Sequence, residues 1–263
     1  MLIAYLTCGD PDLEITSEAA LAAIDAGAGI IELGVPFSDP VADGPVIQRA
    51  SERALQRGTT LRDVLSLARE LRQSRPRAGL IIFSYFNPIF RYGMEDFCQA
   101  ASESGVDGAL ITDLTVEESS EYLAMMQRYR LATVFLAAPT STEERLRQIA
   151  RASSGFVYAV SRTGVTGAAQ QFSPEIKMEE TRALVRRLRR YTKLPIAVGF
   201  GIINAEQFAT AGEFADGVVV GSAIVKAIEN AGKDAAARAV AELVGRLNVS
   251  ASQGEQKKAA RNR

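Results

Sequence analysis

The segment IIELGVPFSDPVADGP, residues 30–45, gathers Glu32, Asp39 and Asp43 within twelve residues of a chain that contains no histidine. Without histidine there is no Ser-His-Asp or Cys-His pair to activate a nucleophile, and no His-ligated zinc or iron site. Proton chemistry near neutral pH therefore falls to carboxylates, lysines or tyrosines. Glu32 closes an apolar run, where a charge is either ion-paired with an arginine or aimed at a ligand. Asp39 and Asp43 lie in a Pro/Gly-rich loop, and one of the two is expected to be an ordinary turn aspartate.

Other segments suit an anion. GFGI (199–202) and GSAIV (221–225) each put glycine at the end of an apolar run, with Ser222 ready to cap a helix and donate a hydrogen bond. The stretch SRTGVTGAAQQFSP (161–174), with Gly167, has the composition of a lid. Tyr5, Phe83, Leu110, Tyr158 and Phe200 sit in or at the end of apolar runs. They read equally as core and as the wall of a pocket for a flat aromatic substrate carrying a phosphate.

These residues need a frame. Eight β-branched runs are expected as strands, at 2–7, 30–34, 79–84, 108–112, 132–138, 155–160, 195–200 and 217–221, alternating with eight amphipathic helical stretches. Strands apolar on both faces imply a parallel sheet covered by helices, and eight such units in about 250 residues is the arithmetic of an α/β, single-domain (βα)8 TIM barrel. The rival, a doubly wound sheet, lacks a GxGxxG after the first strand. No linker divides the chain, so residues 1–248 are expected as one catalytic barrel and 249–263 as a basic, disordered tail.

Bulk properties agree. Hydrophobic content is 47% and charged content 23%, as in ordinary globular proteins. The formal net charge is −1, and with +3 in residues 254–263 the remainder stands at −4, a poor footprint for nucleic acid. Cys8 and Cys98 have no metal-ligand spacing and suit a reducing compartment. No leader pattern or membrane-length apolar run occurs, so a cytoplasmic protein with no membrane role is expected.

The segments YLTCGDPD, IELGVPFSDPVADGP, SYFNPIFRYG, VSRTGVTGA, PIAVGFGI and GVVVGSAIV together resemble the tryptophan synthase α-subunit family, in order, from Leu2 to about Gly245. The resemblance implies a lyase of aromatic amino-acid biosynthesis that cleaves indole-3-glycerol phosphate to indole and glyceraldehyde 3-phosphate. It puts Glu32 and Asp43 in the catalytic positions, and Tyr5, Phe83, Leu110, Tyr158, Thr166 and Phe200 around the substrate. Gly167, Gly201, Gly221 and Ser222 match the phosphate cradle, and Asp39 becomes a loop-shaping acid. It also implies a β-subunit partner in an α2β2 heterotetramer. No cofactor is expected in this chain, pyridoxal phosphate belonging to the partner. A free-standing lyase, or a degenerate barrel that only activates a β subunit, are the alternatives.

The chemistry fits what the sequence lacks. A retro-aldol cleavage needs an electron sink, yet the lysines (177, 193, 226, 233, 257 and 258) avoid the expected strand ends, and His ligands for a metal are absent. An indole ring protonated at C3 is its own sink. Three departures from the family stand out. The sequence opens almost at the first strand, where a helix usually comes first. Thr115 replaces a usual proline, and Ala169 a common charged residue.

Overall fold

The computed structural model of the chain describes residues 1–160, 174–199, 201, 202 and 204–261, with the side chains of 174, 175 and 177 and those beyond Val249 excluded. The expected lid up to Ser173, with Thr166, Gly167 and Ala169, and also Phe200, lie outside the described residues. Eight strands close a parallel barrel in sequence order: β1 (Leu2–Thr7), β2 (Ala28–Gly34), β3 (Gly79–Ser84), β4 (Gly108–Ile111), β5 (Ala132–Ala137), β6 (Val157–Val160), β7 (Ile196–Gly199) and β8 (Gly217–Val220). Closure is made by β8 against β1, with Leu2 opposite Val218 and Ala4 opposite Val220.

The period-2 alternation of each strand divides the core in two. Leu2, Ala4, Leu6, Ile31, Leu33, Leu80 and Ile82 face outward into the layer beneath the helices. Ile3, Tyr5, Ile81, Leu110, Val134, Tyr158, Ala197 and Val219 fill the lumen. Each large aliphatic side chain buried this way contributes roughly 1.5–3 kcal/mol, so both faces of every strand are committed to packing. This explains why the strands read as unbroken apolar runs. One charge, Glu32, interrupts the lumen.

Four helices of the outer ring start where the sequence supplies side-chain caps. Asp12 accepts the Ile15 N–H to open α1 (Leu13–Asp25), and Thr60 and Asp63 form a reciprocal capping box on α3 (Leu61–Ser74). Thr142 caps α7 (Glu143–Ala152) and Asn204 caps α9 (Ala205–Gly212). Between them lie α5 (Met94–Glu103), α6 (Ser120–Arg128) and α8 (Pro174–Leu188), and α10 (Ser222–Ala231) follows β8.

Three helices were not among the eight expected. Helix α2 (Pro45–Gln56) starts directly after the acidic loop, with Pro45 in its first turn. Its fully buried face is only Ala50, Ser51 and Ala54, too small to give an apolar period. Helix α4 (Phe86–Tyr92) is a short insertion stopped by Gly93, whose φ is 99°. Helix α11 (Ala236–Arg261) packs on α1, α9 and α10, burying Val240, Val244 and Leu247. Its backbone runs through the stretch expected as a tail, whose side chains from 250 on are outside the described residues.

Candidate active site

The cavity at the C-terminal ends of the strands has a volume of about 310 Å³, and Glu32 and Asp43 both line it. Glu32 is carried by β2, between Tyr5 of β1 and Ile81 of β3 in the register of the sheet. It is 0% exposed, and neither carboxylate oxygen has a hydrogen-bond partner among the described residues. The expected alternative, an arginine partner across the barrel mouth, is not found among the described residues. Burial without a compensating charge pushes its carboxyl up to about 8, so it holds a proton at neutral pH.

Asp43 reaches the same space from the loop after β2. Two tight turns shape that loop, Val41 N–H to Asp39 O at 2.8 Å and Asp43 N–H to Pro40 O at 3.0 Å. The Gln48 amide of α2 donates to Asp43 O at 2.9 Å, fastening the loop to the helix behind it. The Tyr85 hydroxyl donates to Asp43 Oδ2 at 3.0 Å and accepts the Ala42 N–H at 2.9 Å. Partial burial pushes the Asp43 carboxyl up to about 6, against the hydrogen bond from Tyr85, which favours the ion. At pH 7 the two acids are thus in opposite states, Glu32 neutral and Asp43 charged. Asp39 is exposed, bonded to Ser38, and not on the cavity wall, as its expected loop-shaping part requires.

Aromatic side chains form the walls. The Tyr5 and Phe83 rings meet edge to face at 5.1 Å between centroids. Tyr158 stands on β6, nearly buried, with its hydroxyl raised well above its ordinary pKa by burial and by the neighbouring Glu32. Its ring lies over Gly199, where an added Cβ would come within 2.3 Å of the hydroxyl. Tyr5 lies over Gly34 in the same way, at 2.4 Å. Glycine is needed at both places because the rings occupy the space of a side chain.

Gly201, Gly221 and Ser222, at the ends of β7 and β8, line the same cavity. The Gly201 backbone has φ 70°, the left-handed region. Gly221 is the N-cap of α10 and Ser222 its first residue, with no side-chain capping bond. Ser222 is therefore not the cap expected from the sequence, and α10 begins at the cavity edge, where the first N–H groups of a helix lack intrahelical partners. One expected wall residue is elsewhere: Leu110 is fully buried in the lumen and does not line the cavity.

The sequence reading gave no part to Tyr85, Gln48, Ile47, Thr112, Leu136 or Val219, which bond the loop or line the cavity. For Tyr85 a signal existed in SYFNPIF, but its bond to Asp43 spans 42 positions in sequence. A larger, open groove of about 840 Å³ runs outside the barrel along Phe37, Val41 and α2, and neither Glu32 nor Asp43 lines it.

Such an arrangement holds a neutral buried acid, a fixed carboxylate, aromatic walls and, at the ends of β7 and β8, N–H groups suited to an anion. It can protonate a planar aromatic ligand, stabilise the resulting positive charge and anchor a phosphate. Known proteins resemble the chain in sequence and fold. Residues 1–256 match the family described as "Tryptophan synthase alpha chain". The chain is 50% identical over 235 residues to the tryptophan synthase alpha chain of Solibacter usitatus, covering 89% of this chain and 86% of that one. It is 47% identical to that of Laribacter hongkongensis, covering 93% and 90%. Among solved structures, tryptophan synthase subunit alpha from Legionella pneumophila superimposes with a TM-score of 0.87 at 36% identity, covering 96% and 93%. A chain of the tryptophan synthase complex from Pyrococcus furiosus does so at 0.83 and 40%, covering 94% and 96%. With the family matched across nearly its whole length and both acids lining one cavity, the chain belongs to the tryptophan synthase alpha chain family.

Proposed function

We propose that Glu32 and Asp43 carry the cleavage of indole-3-glycerol phosphate to indole and glyceraldehyde 3-phosphate. The observation that bears most weight is the unpartnered, proton-holding carboxyl of Glu32 in the cavity that Asp43 also lines. Glu32 delivers its proton to C3 of the indole, and the ring becomes an iminium cation. Asp43, as an anion, accepts the indole N–H and stabilises that charge. The bond from C3 to the side chain then breaks, its electrons returning to the ring. The adjacent hydroxyl becomes an aldehyde as its proton passes to the Glu32 carboxylate, restoring the acid.

Tyr5, Phe83 and Tyr158 flank the ring, and Gly201, Gly221 and Ser222 supply N–H groups for the phosphate, together with the expected Gly167. The alpha chain carries no cofactor of its own; pyridoxal phosphate belongs to the β subunit. We place the chain in the cytoplasm, in an α2β2 assembly in which the partner receives the indole. No helix among the described residues is long and apolar enough to cross a membrane.

Incubating the purified chain with indole-3-glycerol phosphate, with and without a β subunit, and measuring indole tests this reading. Glu32→Gln and Asp43→Asn are each expected to lower turnover by at least ~10²–10⁴-fold while the folded state persists. Near-normal turnover in either variant removes that residue from the mechanism. Strong activation by the β subunit is expected of an alpha chain, and high unassisted turnover would instead favour a free-standing lyase.

A further inference from the structure

Asp10, in the loop after β1, is 4% exposed and lines no part of the catalytic cavity. Its two carboxylate oxygens take Arg53 Nε at 2.7 Å and Nη2 at 2.8 Å, a two-pronged contact. The third nitrogen of the same guanidinium, Nη1, donates to Glu229 Oε1 at 2.8 Å, and Arg49 Nη2 reaches Glu229 Oε2 at 3.4 Å. Arg49 and Arg53 lie one turn apart on α2, and Glu229 lies on α10. One arginine therefore joins three elements.

The loop it grips is itself fixed. Gly9, at φ 87°, packs so closely on Thr59 that an added Cβ would lie 2.1 Å from its hydroxyl oxygen, and its N–H donates to Thr16 Oγ1 at 3.1 Å. Asp12 accepts from Lys233, just beyond α10. The two joined helices both begin at the cavity. Helix α2 starts two residues after Asp43, and α10 starts at Ser222. At 1.5 Å per residue, Arg53 and Glu229 sit about 10–12 Å along their helices from those starts.

We propose that Arg53 and Glu229 are positioning residues that set the span between the Asp43 carboxylate and the Gly221–Ser222 turn. A substrate anchored there by its phosphate then meets Asp43 with its indole N–H. The span matters because a misplacement of about 1 Å can cost on the order of 10²-fold in rate. This inference rests on the parts given above to Asp43 and to the Gly221–Ser222 turn.

The simpler account is that the cluster only stabilises the fold, and Asp10–Arg53 does so, since removing Arg53 strands the buried Asp10 carboxylate. Glu229 separates the two accounts. Its side chain is 28% exposed, and Glu229→Gln leaves the Asp10–Arg53 pair in place while removing the charge and one of the two acceptor oxygens that tie α2 to α10. Steady-state kinetics on indole-3-glycerol phosphate and titration with glycerol 3-phosphate as a phosphate probe make the test. For Glu229→Gln, kcat is expected to fall about 5–20-fold, with KM and the probe's Kd within twofold and the unfolding midpoint little changed. Arg53→Lys is expected to keep more kcat than Arg53→Met. An unchanged kcat in Glu229→Gln and Arg53→Lys overturns the proposal, as does a kcat loss that tracks the unfolding midpoint across the three variants. If instead Asp43→Asn retains turnover, the underlying assignment fails first, and the two failures are told apart.

Discussion

The two acids proposed to be catalytic differ in what surrounds them, and on that proposal their environments set a working pH window. Asp43 must be ionised, which holds above about 6, and Glu32 must be protonated, which holds below about 8. The pH profile of kcat/KM for the chain is accordingly expected to be bell-shaped, rising near 6 and falling near 8. Tyr85 tunes the lower limb, because its hydroxyl stabilises the charged form of Asp43. Tyr85→Phe should move the rising limb to higher pH and lower the maximum by about 3–10-fold. A profile whose lower limb stays in place would show that Asp43 is not the group titrating there.

At the scale of the elements, strand ends are where rings and backbone compete for space. Gly199→Ala would drive a methyl group into the Tyr158 hydroxyl, and the ring can escape only toward the cavity. Turnover is expected to fall at least 10-fold, with a stability loss of about 1–3 kcal/mol, the range for overpacked sites. Kinetics and thermal unfolding of the variant check this, and normal kinetics would mean that the ring is not confined by β7. The strands were the most legible elements in the sequence because each is packed on two faces and so carries an unbroken apolar signal. Helix α2 was illegible for the opposite reason: Ala50, Ser51 and Ala54 are all it buries completely. The same contrast holds in the site. Glu32 stood out as a charge in an apolar run, and Asp43, Gly201 and Gly221 as special residues at run ends. Gln48 and Tyr85 act through single bonds to Asp43 that appear only when α2 and the end of β3 are folded against the loop. Leu110 looked like wall, yet one layer of lumen packing decides between wall and interior, and residue type does not encode that depth.

For the whole molecule, an unpartnered acid buried inside the lumen trades against stability in a pH-dependent way. Folding raises the Glu32 carboxyl from 4.5 to about 8, so between those values the folded chain binds more protons than the unfolded one. Stability must then decrease as pH climbs through that window and level off above it. Glu32→Gln removes this contribution. Its melting temperature should match the wild type near pH 5 and exceed it by several degrees at pH 9, a difference of a few kcal/mol at ~1.4 kcal/mol per pKa unit. Equal melting temperatures at pH 9 would mean that the carboxyl is solvated in the folded chain. The packing below the acid has its own consequence. With Ile3, Ile81, Val134 and Phe156 stoppering the lumen, the barrel is a cup and not a pipe. Reactant and both fragments must share the brim, so a fragment leaving early makes room for its sibling, and anything seated on that brim governs the traffic.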